Sequence, residues 1–201
     1  MHLTLVCLLA AASTVYSIDS SRSELVIKTT KEGIGAVFAH NHVVAATEMS
    51  GQVHYDPSDL STASLSVTVK TGSLLVDDTA MRKKHGQAAP VPDGDRKKVT
   101  EEMKGEGQLD AAKFSTVEFT SKAFSRSASG AISVTGAFTL HGVTRTITVP
   151  VTVTVADASV TGDGVIRFKT SDYGIAPYSG ILGTVKNRDE VELVMHLTAT
   201  R

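Results

Sequence analysis

Strict alternation of aliphatic and polar side chains over residues 145–155 constrains the fold more than any other feature of the chain. The segment reads RTITVPVTVTV, with Ile or Val at every odd position from 147 onward. A period of two gathers the aliphatic side chains on one face only in a β-strand. Because proline cannot donate to a ladder, Pro150 on the polar face favours an edge or a bulge. The prediction is a long, curved strand with one continuous apolar face.

Shorter segments with the same alternation occur along the rest of the chain. They span residues 24–29, 52–56, 65–69, 117–120, 132–140, 166–169 and 191–198. Turn-forming residues separate them, at 56–58, 141–142, 161–164 and 187–189. Short strands joined by turns favour sequential antiparallel pairing. The prediction is an all-β sandwich or up-and-down barrel.

One stretch, residues 71–110, interrupts the strand pattern. Within it, residues 95–104 are predicted to form a helix, capped by Asp95 and ended by Gly105. Val99 and Met103 are four residues apart, so they form one narrow apolar stripe. The helix is therefore predicted to rest on the sheet as a short lid, and residues 87–94 resemble a linker.

Composition excludes several functions. The chain has 201 residues, 41% hydrophobic and 20% charged, which predicts one globular domain. A net charge of −1 and an aromatic content of 5% without tryptophan favour no nucleic-acid partner. No nucleophile elbow, phosphate loop, His-Glu-x-x-His or dinucleotide fingerprint occurs. We therefore predict a protein that is not an enzyme and has no catalytic residues.

The amino terminus is predicted to be a signal peptide. The apolar run at residues 3–12 is shorter than the roughly 20 residues of a membrane-spanning helix, and small residues follow it. Cleavage after residue 12, 13 or 17 fits these residues, and the predicted domains are 1–17 and 18–201. A buried first strand is the alternative. Cys7 is the only cysteine, so the mature protein would contain no thiol.

Five sequence motifs together resemble a known family. They are YSID followed by Ser23, LDAAKF followed by VEF, FTLHGVT, TSDYGI and DEVEL, and they begin at Tyr16, Leu109, Phe138, Thr170 and Asp189. In this order and spacing they resemble the YceI-like family of lipid- and polyisoprenoid-binding proteins, over residues 16–200. The resemblance implies an eight-stranded antiparallel lipocalin-like barrel, periplasmic or secreted, that holds a long apolar chain. The His-x-His in segment 38–44 and the long charged insert at 77–107 depart from the plain family pattern.

The apolar faces of the strands are the predicted ligand-binding surface. An eight-stranded barrel is either filled by its own side chains or just wide enough for one small ligand, and the residues alone leave both alternatives open. The resemblance favours a cavity. The predicted lining residues are Val67, Phe119, Val134, Phe138, Ile147, Val149, Val151, Phe168, Leu193 and Met195.

Four polar residues are predicted at the rim of this cavity: His40, His42, Tyr173 and Tyr178. His40 and His42 are two apart on a strand and share a face, so both could reach one metal ion with His54 or His141 as a third ligand. No acidic residue has a diagnostic spacing, so we instead predict that the two histidines bind a ligand head group and that no metal is bound.

Charged segments near the insert allow two interpretations. The basic runs at 82–85 and 96–98 could meet an anionic head group or a membrane surface. We favour a solvated helix face balanced by nearby glutamates. Asp172 is predicted to cap the turn before Gly174.

Three functions are consistent with the sequence. The first is a non-catalytic carrier with no cofactor, whose ligand is an isoprenoid or other long-chain lipid. The second is a metal- or haem-associated redox accessory that uses His40 and His42. The third is a barrel whose surface binds a protein partner. A transient membrane contact and a homodimer are left open as further interactions.

Overall fold

The computed structural model describes residues 14–87, 89–180 and 183–201. The helices are α1 (Thr79–Lys84) and α2 (Asp93–Lys104). The strands are β1 (Val15–Ile18), β2 (Glu24–Lys28), β3 (Lys31–Glu32), β4 (Val43–Ala46), β5 (Met49–His54), β6 (Ser64–Lys70), β7 (Leu74–Val76), β8 (Thr116–Arg126), β9 (Ile132–Leu140), β10 (Val143–Ala156), β11 (Ser159–Lys169), β12 (Ser179–Gly180), β13 (Val185–Asn187) and β14 (Glu190–Thr200). Within the described ranges, neither helix is long and apolar enough to span a bilayer.

Eight antiparallel strands close into a barrel. Their order is β1-β5-β6-β8-β9-β10-β11-β14, and the pairing of β14 with β1, Thr200 opposite Ser17, closes the ring. The short strands β2, β4 and β7 continue β1, β5 and β6 past breaks in those strands, and β2 also pairs with β14. This arrangement confirms the predicted all-β barrel.

The alternating segment forms β10. Its residues Ile147, Val149, Val151 and Val153 line the barrel interior. Threonines face outward, where the Thr148 hydroxyl shares a hydrogen bond with that of Thr135 on β9. The ladder between β10 and β11 runs from Ala156 opposite Ser159 to Val151 opposite Gly164. Pro150 is the first residue beyond this ladder and still pairs with β9, so it occupies an edge on one side, as predicted.

The two ends of the barrel differ. The turns β5–β6, β8–β9 and β10–β11 lie at one end, which we call the closed end. Buried residues that fill it are Tyr16, Tyr55, Ile132, Val160 and Ala199. The connections β2–β4, β7–β8, β9–β10 and β11–β14 lie at the other, open end, where α1 and α2 are inserted between β7 and β8.

The predicted signal peptide lies mostly outside the described residues, which begin at Thr14. Tyr16 is buried at the closed end, and its strand β1 pairs with both β5 and β14. A cut after residue 17 would remove most of β1, whereas a cut after residue 12 or 13 would leave the strand whole. Of the predicted cleavage sites, those after residues 12 and 13 are therefore compatible with an intact strand β1.

The β9–β10 hairpin explains the FTLHGVT motif. Leu140 pairs with Val143, and the two turn residues His141 and Gly142 have φ of 51° and 73°, as a type I′ turn requires. The Phe114 ring lies 4.4 Å from the His141 ring. A Cβ on Gly142 would lie 2.6 Å from a Phe114 ring carbon. The motif therefore fixes a tight turn against a packed ring.

We expect Gly142→Ala to destabilise the barrel by at least about 1 kcal/mol, because alanine resists positive φ and its Cβ would meet Phe114. Gly94→Ala is the matched control: Gly94 lies in α2, has open space around its Cβ position, and should be neutral or stabilising by up to about 1 kcal/mol. Urea denaturation measures both. Equal midpoints for the two variants would contradict the turn argument.

The insert differs from its prediction in three ways. Helix α2 begins at Asp93 rather than Asp95, so the predicted cap at Asp95 is wrong: Pro92 occupies the N-cap position without a side-chain capping hydrogen bond. Both aspartates lie in the first turn, where the helix dipole favours them. Helix α1 was not predicted, since six residues show little periodicity; Asp78 caps it. Arg82 in α1 is buried, so the predicted solvated face is wrong for this residue.

Candidate functional site

The barrel encloses a cavity of about 970 Å³, at the upper end of the range for small-molecule pockets. All ten residues that the sequence predicted as lining residues do line it: Val67, Phe119, Val134, Phe138, Ile147, Val149, Val151, Phe168, Leu193 and Met195. They come from β6, β8, β9, β10, β11 and β14. The interior is therefore hollow rather than closed by its own side chains. That these residues bind a ligand stays a prediction.

Two glycines widen the cavity. Gly162 and Gly164 lie on the inner face of β11, opposite Leu197 and Met195 of β14. A Cβ on Gly162 would meet no atom within 4 Å, so this position opens directly onto empty space. The sequence prediction of a turn at 161–164 is wrong, because the β10–β11 turn falls at Asp157 and Ala158 instead.

Polar side chains gather at the open end. On one side of the mouth are Thr29, His42, Tyr178 and Asn187. On the other side lie α2 and the segment after it, with charged or polar residues Lys98, Glu101, Glu102, Glu106 and Gln108. Val99 and Met103 of α2 also line the cavity, so the predicted apolar stripe of this helix faces the barrel. The walls below the mouth are aliphatic and aromatic, so the site suits an amphipathic molecule with a long apolar part.

The four predicted rim residues separate into two pairs. His42 and Tyr178 line the cavity, whereas His40 and Tyr173 are not among its lining residues. Tyr173 is fully buried, with ring centroids 5.3 Å from Phe138 and 5.6 Å from Phe168 in edge-to-face contacts. Burial raises the pKa of the Tyr173 hydroxyl. Tyr173 therefore supports the wall behind the lining residues and does not belong to the mouth.

Asp189 holds the turn that places Tyr173. The Oδ1 atom accepts a hydrogen bond from Ser171 N at 2.9 Å, and Oδ2 accepts one from Ser171 Oγ at 2.6 Å. These bonds lower the pKa of the Asp189 carboxyl. The prediction that Asp172 caps the turn is wrong: its backbone carbonyl instead accepts a hydrogen bond from Arg145 Nε. Hydrogen bonds between Asp189 and Ser171 thus connect the DEVEL motif to the TSDYGI motif.

A buried ionic cluster lies behind His42. The Asp77 side chain is fully buried and that of Arg82 is 4% exposed. Asp77 Oδ1 accepts hydrogen bonds from Arg82 Nη1 at 2.6 Å and from Val43 N at 3.0 Å, and Oδ2 lies 2.6 Å from His42 Nδ1. Burial alone would raise the pKa of Asp77, but these partners outweigh burial and hold the pKa below its ordinary value. Asp77 is therefore a carboxylate.

This cluster determines what His42 can offer the cavity. Because Asp77 is ionised, its Oδ2 accepts a hydrogen bond from the Nδ1–H of His42. The other ring nitrogen, Nε2, has no hydrogen-bond partner within the described part of the chain. Nor do the described residues contain a group of three or more His, Cys, Asp or Glu side chains that could hold a metal ion. His42 is thus suited to a polar group at the mouth.

Comparisons with known proteins agree with this architecture. The family described as YceI-like domain matches residues 16–199. UPF0312 proteins from two strains of Vibrio vulnificus are 30% identical over 140 residues, which is 70% of this chain and 63% of theirs. The chain therefore spans less than two thirds of the length of these relatives.

Solved structures show the same fold. BcnA of Burkholderia cenocepacia superposes with a TM-score of 0.69 at 25% identity, over 91% of this chain and 99% of that one. The YCEI protein of Campylobacter jejuni superposes with a TM-score of 0.58 at 17% identity, over 79% of this chain and 84% of its own. The second likeness concerns the fold alone.

Proposed function

The chain belongs to the YceI-like family, and we propose that it is a non-catalytic binding protein that holds an isoprenoid or other long-chain apolar lipid inside its barrel, in the periplasm or outside the cell. One observation carries this proposal. The cavity of about 970 Å³ is lined by aliphatic and aromatic side chains throughout its depth and by polar ones at its mouth. A hydrocarbon chain would lie inside with its polar end at the mouth.

Burial of the hydrocarbon chain alone can supply the free energy of binding for such a ligand. Each buried methylene contributes about 0.8 kcal/mol, so ten of them contribute about 8 kcal/mol. That is the free energy of a dissociation constant of about 1 μM, before the loss of ligand freedom is subtracted. Longer chains bind more tightly until the cavity is full. The proposed carrier therefore needs no cofactor.

Solvent extraction of the purified protein followed by mass spectrometry tests the proposal. We expect a long-chain apolar molecule in an amount approaching one per protein. The same extraction of protein first stripped in detergent and refolded should yield none until lipid is added back. If native protein releases no such molecule and stripped protein takes up neither a prenol nor a fatty acid, the carrier proposal is wrong.

His42 is the residue proposed to bind the head group, because its Nε2 has no partner among the described residues and can form a hydrogen bond with a ligand hydroxyl at the mouth. We expect His42→Phe to weaken binding of a long prenol up to about tenfold, the value of one hydrogen bond. Binding of the matching hydrocarbon, which lacks the hydroxyl, should change much less. Competition with a fluorescent fatty acid measures both affinities.

His196→Phe provides the matched control. His196 also pairs with an aspartate, with its Nδ1 at 2.7 Å from Asp163 Oδ1, but on the exposed outer wall of the barrel. The control should bind both ligands as the wild type does. An equal loss of prenol and hydrocarbon binding in His42→Phe would assign His42 a structural role only.

A further inference from the structure

An apolar loop projects from the open end of the barrel. It follows β3 and contains Ile34 and Val37, whose side chains are 92% and 78% exposed. These are the most exposed large hydrophobic side chains in the described part of the chain. We propose that this loop, residues 33–37, is a membrane-docking element that inserts into an anionic lipid surface and brings the cavity mouth against the bilayer.

The loop is held in place by backbone contacts. Strand β3 pairs with β13, and β13 with β12, in a small sheet separate from the barrel. Gly35 N donates a hydrogen bond to Thr184 O at 2.9 Å. Gly33 has φ of 97°, and a Cβ there would lie 2.5 Å from the same oxygen. The two exposed side chains are therefore presented by a defined backbone.

The same small sheet borders the cavity. Asn187 of β13 lines the mouth, and its backbone N–H donates to the carbonyl of Tyr178, which also lines the mouth. Asn187 pairs with Lys31 of β3. The apolar loop thus continues directly from the strands that form one side of the mouth. A membrane that binds the loop would therefore also lie close to the mouth of the cavity.

Charge identifies the surface. The small sheet and the residue after it carry three basic side chains, those of Lys31, Lys186 and Arg188, and one acidic side chain, that of Glu32. Arg188 pairs with Glu32 at 3.7 Å and the Lys31 ammonium donates to the carbonyl of Ala39 at 2.8 Å, so the net charge of this group is +2. Basic groups near an anionic membrane are attracted to its surface. The α2 side of the mouth carries three glutamates and a single lysine among its lining residues. An anionic bilayer would therefore meet the barrel on the loop side.

Docking would remove the main obstacle to lipid exchange. A chain that leaves the cavity through water exposes its methylenes, which is unfavourable for each of them, whereas a chain that passes from the mouth into a bilayer stays in an apolar environment. This role of docking in lipid exchange rests on the proposed lipid-binding function. The docking itself does not require it, because the loop is exposed whether or not the cavity is filled.

Vesicle flotation tests the proposal. Purified protein is mixed with vesicles of phosphatidylcholine and phosphatidylglycerol and compared with a variant carrying both Ile34→Asp and Val37→Asp. We expect the wild type to float with the vesicles and the double variant to lose at least about tenfold in partitioning, since two apolar side chains are replaced by anions. Val155→Asp is the matched control. Val155 is 49% exposed on the β10–β11 hairpin at the closed end, and this variant should float as the wild type does.

Two outcomes would overturn the proposal. A wild type that fails to float would leave the loop as a site for a protein partner, and a double variant that floats as well as the wild type would exclude the loop from docking. Thermal unfolding of each variant controls for folding, and exposed positions should leave the midpoint unchanged. Flotation is scored on the protein alone, so its failure leaves the extraction result for the cavity unaffected.

Discussion

Replacing Asp77 with asparagine is expected to lower the free energy of unfolding by about 3 kcal/mol or more. The variant keeps the shape of the side chain and tolerates the positive φ of 54° at this position. What it removes is the charge that faces Arg82, whose side chain is 4% exposed. An unpaired guanidinium would remain buried, and that desolvation is the source of the loss. Urea denaturation measures it.

The control for this change is Glu48→Gln. Glu48 also forms an ion pair, with Lys70 at 2.8 Å, but both side chains are more than half exposed. Solvent screens such a pair, so its loss should change stability by less than about 1 kcal/mol. If the two substitutions had equal effects, the buried cluster would contribute no more than an ordinary surface pair.

Acid should bring the stabilities of the two proteins closer together. The folded pKa of Asp77 lies below its ordinary value of 3.8, so the ionised side chain stabilises the fold above that value. This contribution is lost as pH falls through the folded pKa. Asparagine does not titrate. The stability gap between wild type and Asp77→Asn should therefore narrow below about pH 4, while the other carboxylates titrate alike in both proteins.

Filling the cavity from Gly162 is expected to weaken lipid binding strongly without unfolding the barrel. In Gly162→Phe the new side chain would enter open space, because a Cβ there meets no atom within 4 Å. A ring that displaces about three methylenes of the chain costs about 2.4 kcal/mol, or roughly fiftyfold in dissociation constant. The fold should tolerate the change, since phenylalanine has a higher strand propensity than glycine.

Val165→Phe is the matched control on the same strand. Val165 is exposed on the outer face of β11, so its ring would lie outside the barrel. This variant should yield as much extracted lipid as the wild type, and Gly162→Phe should yield almost none. Retained lipid in Gly162→Phe would mean that the ligand lies elsewhere than in the barrel interior.

The barrel was predictable because each of its strands has one apolar face and one polar face. Period-two alternation in β6, β8, β9, β10, β11 and β14 identifies the inward face of each strand, and the ten predicted lining residues lie on those faces. The choice of a cavity over a filled core came from the family resemblance. Gly162 was not predicted as a lining residue because glycine, considered without its neighbours, indicates a turn. Its place in the alternation, between Val160 and Gly164 on the inner face, was the signal that would have found it.

The cluster behind His42 was not predictable from local pattern. Its members His42, Asp77 and Arg82 come from the segment before β4, the end of β7 and the short helix α1. Only tertiary packing brings them together, and a basic run such as 82–85 ordinarily stays in water. Whether the barrel is hollow also depends on how side-chain volumes meet across the interior, which spacing along one chain does not reveal.

The backbone ladder between β10 and β11 stops at Val151 and Gly164, although both strands continue toward the open end. Beyond the pair Val151–Gly164, toward the open end, two side-chain hydrogen bonds connect this side of the wall to the turn that follows β11. Arg145 of β10 donates to the carbonyl of Asp172, and His141 of the β9–β10 turn bonds to that of Tyr173. Separating a few such bonds takes far less free energy than unzipping a ladder. We therefore expect the barrel wall to open locally along this line more readily than along a continuous ladder.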